Sequence, residues 1–239
     1  MKRHAFSERS LLILGGSDRL SFLNRLSTNL IAGLGVGCSI ETVFTDANAR
    51  IIDHAIIGNQ QQMTFIIGHL SNRQRLLQHL KQKTLLDDVT INDATNLNTF
   101  IRMSEEHEDG IIVECNGATL VSDGYCTLAV ISQTTSNDAL LQDSVQSPEH
   151  IEKERIRALR PGIKELTTTH TPYNVALGHL VHEDKGCYLG QEVLARMQSR
   201  ARFGKQMVFL EEGELEEGIN GVTSICGEIG LAVLTHSQN

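Results

Sequence analysis

Apolar positions at the start of the chain change from a short continuous run to a helical spacing. Residues 10–14 form an apolar-rich run that ends at Gly15 and Gly16, which predicts a buried strand followed by a turn. Ser17 is predicted to cap the helix that follows. The apolar residues of that helix recur at helical spacing, at Leu20, Leu23, Leu26 and Leu30.

Short apolar segments separated by turn residues dominate the chain from residue 41 onward. Residues 41–45, 50–57 and 63–67 predict a β-meander, because the sequences between them contain Asp, Asn and Gly. Ser71 and Gln74 predict a capping box at the start of a second helix, which ends near Lys83. Further strands are predicted at residues 89–91, 99–103, 111–115 and 125–131. Many strands with few, short helices indicate an antiparallel α+β protein rather than a Rossmann sheet.

The second half of the chain adds two helices and a region of short strands. Residues 133–147 are polar and predict a linker. Ser147 and Pro148 then start a helix, with Ser as the cap and Pro at the first helical position, and Pro161 with Gly162 stops it. Residues 191–200 predict another helix, and the final 34 residues, 206–239, predict about three short strands.

Charge is unevenly distributed along the chain. The sequence has 29 Asp and Glu against 21 Lys and Arg, a formal net charge of −8, which argues against a protein whose whole surface binds nucleic acid. Residues 151–205, however, hold ten Lys and Arg against six Asp and Glu, so this segment carries +4 and the other residues −12. Arg196 and Arg200 are four apart and share a helix face. The segment could bind a small anion or an RNA backbone, or could simply be a solvated helix face.

Cysteine spacing and the length of the apolar runs bear on the compartment. The five cysteines are scattered without a CxxC pair, which is typical of a reduced, cytoplasmic protein without disulfides or a zinc knuckle. No run approaches the ~18 apolar residues of a membrane span, and the apolar run near the N-terminus is too short for a signal peptide. We therefore expect a cytoplasmic protein with no membrane partner. The ten histidines show no HExxH or HxxxH spacing, so no metal site is expected.

The most informative segment is residues 185–192, Lys-Gly-Cys-Tyr-Leu-Gly-Gln-Glu. Cys187 lies two residues after Lys185 and just before a predicted helix start near Gly190, and both a cation and a helix N-terminus favour thiolate over thiol. Cys187 is therefore a candidate reactive thiol, although a small packed side chain is the more common role of a lone cysteine.

This segment resembles the signature Lys-Gly-Cys-Tyr-x-Gly-Gln-Glu of the YgfZ family, folate-binding relatives of the glycine-cleavage T-protein. Three other parts of the chain are similar to that family: residues 11–28, residues 45–53, and the run of Arg155, Ile156 and Arg157 that leads to Gly162. The resemblance covers roughly residues 8–210. It implies an α+β fold, an aminomethyltransferase-like folate-binding core of two antiparallel-sheet/helix domains with a reduced C-terminal β-barrel.

The resemblance also implies domains, cofactors and partners. A folate-binding core domain would combine residues 1–42 with residues 141–203, a β-meander/helix domain would span residues 43–140, and the reduced barrel would occupy residues 204–239. The family is implicated in iron–sulfur cluster assembly or repair and, in bacteria, in tRNA modification by cluster-dependent enzymes. The implied cofactor is tetrahydrofolate or a folate derivative, with a transient iron–sulfur cluster on Cys187 as a further option. The implied partners are iron–sulfur assembly proteins or client cluster enzymes, with tRNA as a further candidate.

A set of site residues follows from the same resemblance. Cys187 would be the functional thiol, and Lys185 would keep it anionic. Asn174, eleven residues before Lys185, occupies a position that resembles the pterin-binding site, where some relatives carry Glu and others Asn. An uncharged amide offers both a donor and an acceptor to a pterin edge. The expected folate-binding residues are Asn174, Lys185, Gly186, Tyr188, Gln191, Arg196 and Arg200.

Two positions depart from the family pattern. Leu30 stands where the T-protein has a catalytic Asp, and leucine cannot transfer a proton, so aminomethyl transfer loses its main acid–base group. Ala49 stands where glycine is common, which puts the geometry of that turn in question. We therefore expect a folate-binding accessory protein rather than a turnover enzyme. The alternatives are a folate-dependent aminomethyltransferase-type enzyme, and an RNA- or protein-docking module that uses residues 151–205.

Overall fold

A computed structural model of the chain describes residues 3–5, 8–103, 107–134, 147–216 and 219–235. The α-helices of these residues are α1 Arg19–Leu26, α2 Arg73–Lys81, α3 Pro148–Arg157, α4 Gln191–Ser199 and α5 Glu212–Glu216. The β-strands are β1 Arg3–Ala5, β2 Arg9–Gly15, β3 Cys38–Thr45, β4 Ile51–Asn59, β5 Thr64–His69, β6 Thr90–Asp93, β7 Asn98–Met103, β8 Val113–Cys115, β9 Ala118–Ser122, β10 Thr127–Ser132, β11 Lys205–Leu210, β12 Val222–Cys226 and β13 Ile229–Thr235. None of the helices in the described ranges is long and apolar enough to cross a membrane.

Sheet I has the strand order β3-β4-β5-β2-β6, and every neighbouring pair is antiparallel. Strand β4 is buried at every position, because both faces of the sheet are covered. One face packs against α1 and α2, where Leu12 meets Phe22 and Leu76. The opposite face carries Leu11 and Ile67, which belong to a core shared with a second sheet. Sheet I is therefore the layer around which the rest of the molecule packs.

Sheet II has the strand order β1-β7-β10-β9-β8, again antiparallel throughout. Phe100 and Val121 face the core that this sheet shares with sheet I. Their chain neighbours Ile101 and Leu120 point to the other face and join a separate apolar cluster. This alternation is the period of two that a strand between two apolar layers requires.

Sheet III has the strand order β11-β13-β12. It occupies the part of the chain where a reduced β-barrel was expected, and that expectation is not confirmed. Within the described residues β11 and β12 pair only with β13, so the sheet keeps two open edges, whereas a barrel closes by pairing its edge strands. Met207 and Leu231 of this sheet pack against Val43, Ile51 and Ile156. Sheet III is thereby attached to α3 and to the β3–β4 edge of sheet I.

Most of the predicted elements are confirmed, because their signals are local. The meander predicted over residues 41–67 is present as β3, β4 and β5, and the predicted C-terminal strands are present as β11, β12 and β13. Ser147 caps α3 as predicted, since its Oγ accepts a hydrogen bond from the backbone N–H of His150 at 3.1 Å. Strand β9 was not predicted from the sequence.

The predicted starts of α1 and α2 are wrong. Asp18 rather than Ser17 precedes α1, and the Ser17 hydroxyl donates to Asp88 at 2.9 Å instead of capping the helix. Helix α2 begins after Asn72, with no side-chain cap from the predicted capping box at Ser71. Helix α1 ends before Leu30, so that leucine is not part of its apolar face.

The expected division into domains stays a prediction. The boundary between residues 42 and 43 falls within β3, and the boundary between residues 203 and 204 falls just before β11. Of the predicted linker over residues 133–147, residues 135–146 lie outside the described ranges.

Candidate functional site

The turn that leads from the motif into α4 needs a glycine for two reasons. Gly190, which precedes α4, has a φ of +88°, a conformation that residues with a side chain rarely adopt. A Cβ added there would lie 2.7 Å from the backbone oxygen of Asp46 and 3.0 Å from the Cα of Ala49. Ala49 itself has a φ of +59°, so the turn keeps the left-handed conformation that favours glycine although alanine occupies it. The motif is therefore held closely against the turn between β3 and β4.

Lys185 anchors the motif to the end of α1. The side chain is 4% exposed, and its ammonium lies 4.9 Å from the centre of the Tyr188 ring. Burial lowers the pKa of Lys185 to about 7. Nζ donates to three backbone oxygens, those of Asn24 at 2.8 Å, Ser27 at 2.7 Å and Asn29 at 2.5 Å. These carbonyls lie at and just beyond the C-terminal end of α1, where helix carbonyls lack partners within the helix and a cation is favourable.

Cys187 is exposed, but the expected partner of its thiol is otherwise occupied. All three N–H bonds of the Lys185 ammonium are directed to backbone carbonyls, so this lysine serves as a helix anchor rather than as a donor to the thiol. Gly186, between the two, faces open space, since an added Cβ would meet nothing within 4 Å. The segment around the thiol is therefore accessible from solvent.

Asn174 lies in the short 3₁₀ turn Pro172–Val175, where the protein itself satisfies its amide. The Oδ1 atom accepts from the backbone N–H and from the hydroxyl of Thr171, at 2.9 and 3.0 Å. The Nδ2 atom donates to the backbone oxygens of Phe203 and Lys205, at 2.7 and 3.0 Å. An amide has two donors and two acceptor sites, so this geometry makes Asn174 a bridge between the turn and β11.

The remaining predicted residues divide into a contact group and an exposed pair. Tyr188, within the motif, is buried, and burial raises the pKa of its hydroxyl to about 12. Gln191 donates to the backbone oxygen of Lys185 at 3.4 Å, and Tyr188 and Gln191 both line a depression of about 430 Å³. Arg196 and Arg200 are exposed on α4 and its C-cap, and Arg196 pairs with Glu192 at 2.6 Å.

A cavity of about 530 Å³ lies elsewhere, between sheets I and II and the region of α3. None of the eight predicted site residues lines it. Its wall carries five cations against the three carboxylates of Glu8, Asp123 and Glu152. The five cations are Arg9, Arg102, Arg155, Arg160 and Lys164. Both the volume and the surplus of positive charge suit an anionic small molecule.

Most of the arginines in the cavity wall are held in place by carboxylates. Arg155 makes a bidentate contact with Glu152, through Nε at 2.8 Å and Nη2 at 2.5 Å. Arg160 reaches the carboxylate of Glu41 at 2.8 Å. Lys164 differs from both: it is exposed and has no hydrogen bond or ion pair among the described residues. It is therefore the cavity cation that a ligand could engage without breaking an internal contact.

Tyr125 gives the cavity an aromatic wall. The guanidinium carbons of Arg102 and Arg160 lie 4.8 and 5.3 Å from the centre of its ring. Its hydroxyl is buried and interacts with the guanidinium of Arg102. The neighbouring Cys126 also lines the cavity, and burial raises the pKa of its thiol to about 12, so this cysteine is protonated at neutral pH. Because a guanidinium can only donate, the O–H of Tyr125 remains able to donate a hydrogen bond to a ligand.

Sequence reasoning identified the basic segment but not the residues that line the cavity. Arg155, Arg160 and Lys164 all belong to the +4 segment 151–205, and Arg155 and Gly162 belong to the run that resembles the YgfZ family. Tyr125 and the other cations come from distant parts of the chain, and only the packing of the sheets brings them together. In the sequence, the surplus of positive charge in residues 151–205 was the feature that pointed to this cavity.

Comparison with solved structures identifies the fold. The chain is similar to the glycine cleavage system aminomethyltransferase T from Bartonella henselae, with a TM-score of 0.81 over 99% of this chain and 78% of that one. The two sequences are 14% identical, so the similarity establishes the fold. No family model matches the sequence, and no curated protein matches it significantly. This chain therefore has a T-protein-like aminomethyltransferase fold, with antiparallel sheets, few helices and a charged cavity beside them.

Proposed function

We propose that the protein binds tetrahydrofolate, or a related folate, in the cavity between sheets I and II. One observation carries the proposal: a cavity of about 530 Å³ with five cations and an aromatic wall, in a chain whose fold resembles an aminomethyltransferase. Folate is a polyanion with an aromatic pterin. Its glutamyl carboxylates match guanidinium and ammonium groups, and its polar ring edge matches a buried hydroxyl.

The fit can be stated residue by residue. Lys164 and Arg155 would hold the carboxylates, because Lys164 makes no hydrogen bond or ion pair among the described residues and Arg155 is already oriented by Glu152. The ring of Tyr125 would lie against the ligand, and its O–H would donate a hydrogen bond to it. A bound folate would supply a carrier for one-carbon units.

Leu30 argues for an accessory protein rather than an aminomethyltransferase. Its side chain is 41% exposed and apolar, and its backbone N–H donates to Asn29 Oδ1 at 2.9 Å. It therefore supplies no group that could take up or release a proton. Measurable transfer of an aminomethyl group to tetrahydrofolate by the purified protein would restore the transferase alternative.

The accessory role that we propose is in iron–sulfur cluster assembly or repair, as the resemblance of the motif to the YgfZ family suggests. The described residues contain no group of three or more His, Cys, Asp or Glu side chains that could hold a metal, whereas clusters usually take about four ligands. The residues therefore do not fit a resident cluster, and we assign the cluster to the client enzymes. The exposed Cys187 would meet the client, and tRNA modification would depend on the protein through such enzymes.

Calorimetric titration with tetrahydrofolate tests the binding proposal. The wild type should bind with one site per chain. Lys164→Gln should weaken binding about tenfold, because a charge-assisted hydrogen bond contributes about 1.5–3 kcal/mol. Arg196→Gln is the matched control, since Arg196 is exposed and lies outside the cavity, and it should leave the affinity unchanged. An absence of heat with the wild type, or equal losses in both variants, would overturn the proposal.

Genetic complementation tests the role of the thiol. In a strain that lacks the protein, Cys187→Ser should fail to restore the activity of a cluster-dependent enzyme. Cys115→Ser, which changes the other fully exposed cysteine of the described residues, should restore it. Full activity with Cys187→Ser would remove the thiol from the function.

The exposed arginines of α4 allow a test of the alternative function, in which the protein binds RNA. Arg196 and Arg200 are exposed side by side along α4, where an RNA backbone could reach them. Binding of tRNA whose affinity falls steeply with salt, together with no binding of tetrahydrofolate, would favour an RNA-docking function.

A further inference from the structure

Strands β4 and β5 of sheet I place an Asp–His pair at the wall of the cavity, in addition to the cations. Asp53, in β4, is fully buried, and His69, at the end of β5, lines the cavity. The Nδ1 atom of His69 lies 3.1 Å from Oδ1 of Asp53 and 3.2 Å from the backbone oxygen of His54. Neither residue belongs to the set that the sequence identified, and the folate contacts described above do not use them.

The neighbours of Asp53 are arranged to hold its carboxylate in place. The backbone N–H of His69 donates to Oδ2 at 2.9 Å, and Nδ2 of Asn72 donates to Oδ1 at 2.9 Å. Gly68 leaves room for the carboxylate, because a Cβ at that position would lie 2.3 Å from Oδ2. The space left by Gly68 and the three hydrogen bonds from His69 and Asn72 together fix the position of the Asp53 carboxylate.

This geometry defines the tautomer of His69. Both atoms near Nδ1 are acceptors, so Nδ1 carries the proton and Nε2 keeps its lone pair. No described hydrogen bond uses Nε2, and the ring is partly exposed at the cavity wall. The lone pair is therefore available to a ligand.

Burial, together with the charge of Arg9, favours the neutral form of the His69 imidazole. Burial lowers the pKa of His69, and the nearby charge of Arg9 adds to this effect, while Asp53 opposes it. Burial alone raises the pKa of Asp53, but hydrogen bonds from His69 and Asn72 outweigh it and lower the pKa overall. The titratable and charged groups that face His69 are Asp53 and His54 from β4 and Arg9 from β2.

We propose that Nε2 of His69 accepts a hydrogen bond from an N–H group of the ligand in the cavity, with Asp53 as the positioning residue. The inference rests on the proposed function, and it adds the orientation of the ligand within the cavity. The N–H-bearing ring of the ligand lies at sheet I, and the carboxylates lie at the cations of α3 and the segment that follows it. The ligand class is thus an anion that also carries N–H donors, which a dicarboxylate without N–H groups does not match.

Nitrogen NMR of the full-length, ¹⁵N-histidine-labelled protein tests the proposal, with His69→Gln used to assign the resonances. In the free protein Nδ1 of His69 should be protonated and Nε2 unprotonated. Saturation with tetrahydrofolate should shift the Nε2 resonance, while His79, a partly buried residue of α2 outside the cavity, should not respond. Binding by calorimetry without a shift of Nε2, or an Nε2–H tautomer in the free protein, would overturn the inference alone. No binding at all would overturn the proposed function, and the inference with it.

Two substitutions give a second, independent readout. His69→Phe removes the acceptor and should weaken tetrahydrofolate binding about tenfold, the value of one hydrogen bond. His69→Gln can place an amide oxygen near the position of Nε2 and should recover part of that affinity. Glutarate, a dicarboxylate without N–H groups, should bind both variants and the wild type equally. Equal affinity of His69→Phe and the wild type for tetrahydrofolate would contradict the assignment.

Discussion

Replacement of Lys185 by methionine should destabilise the protein strongly, because three buried or partly buried carbonyls would lose their donor. Methionine keeps most of the side-chain volume but leaves the backbone oxygens of Asn24, Ser27 and Asn29 without the ammonium. An unsatisfied buried acceptor costs about 1–3 kcal/mol. Relief from the desolvation of the ammonium offsets part of this sum, so we expect a net loss of about 3–5 kcal/mol, as for other broken buried charge contacts.

The assay is equilibrium unfolding in urea at pH 6, where the Lys185 ammonium keeps all three donors. Lys164→Met is the matched control, because Lys164 is exposed and makes no described hydrogen bond, and it should change the stability by less than about 0.5 kcal/mol. Equal unfolding midpoints for Lys185→Met and the wild type would refute the view that this lysine anchors the motif to α1.

The pH dependence of stability provides a second test of the same contact. The pKa of Lys185 is lowered to about 7 in the folded protein from 10.5. Between these values the unfolded chain binds a proton that the folded chain does not, so the free energy of unfolding should rise with pH from about 7 to about 10. Lys185→Met should lack this rise. A wild type and a variant with parallel pH profiles would show that burial does not lower the pKa.

Three further predictions concern other parts of the site. Asn174→Ala should cost about 1–3 kcal/mol of stability, because the buried N–H of Thr171 loses its acceptor and the backbone oxygens of Phe203 and Lys205 each lose a donor. It should not change the calorimetric affinity for tetrahydrofolate, and a weaker affinity would make Asn174 a ligand contact. Gly190→Ala should lower the midpoint of thermal unfolding, because alanine at this positive φ costs about 1–2 kcal/mol and its Cβ would clash with the backbone oxygen of Asp46. An unchanged midpoint would contradict the tight turn. Gly68→Ala should displace the Asp53 carboxylate and thereby change the His69 tautomer seen by NMR; an unchanged tautomer would contradict the arrangement.

Local sequence patterns were sufficient to predict most of the helices and strands, whereas the aminomethyltransferase-like fold was implied by the family resemblance. The alternation of apolar residues and the turn residues between them predicted β3, β4 and β5, and Ser147 with Pro148 predicted the start of α3. Helix α1 starts differently because Ser17 is drawn into a contact with Asp88, which is 71 residues away in the chain. No local pattern contains that contact.

The candidate site was less predictable, because burial rather than residue type determines what its side chains do. A lysine two residues before a cysteine suggested an activated thiol, but packing places the ammonium of Lys185 against the end of α1. The resemblance to the YgfZ family suggested a pterin contact for Asn174, but packing completes the hydrogen bonds of this residue within the protein. The cavity depends on contacts between sheets I and II and the α3 region, and its residues are far apart in the sequence.

A crystal structure of the protein with bound tetrahydrofolate tests the central claim most directly, because it locates the ligand. We predict that the ligand lies in the cavity between sheets I and II, with its carboxylates near Lys164 and Arg155 and its ring near Tyr125. A ligand bound instead in the depression beside Tyr188 and Gln191 would contradict this account, and would return the site to the motif around Cys187.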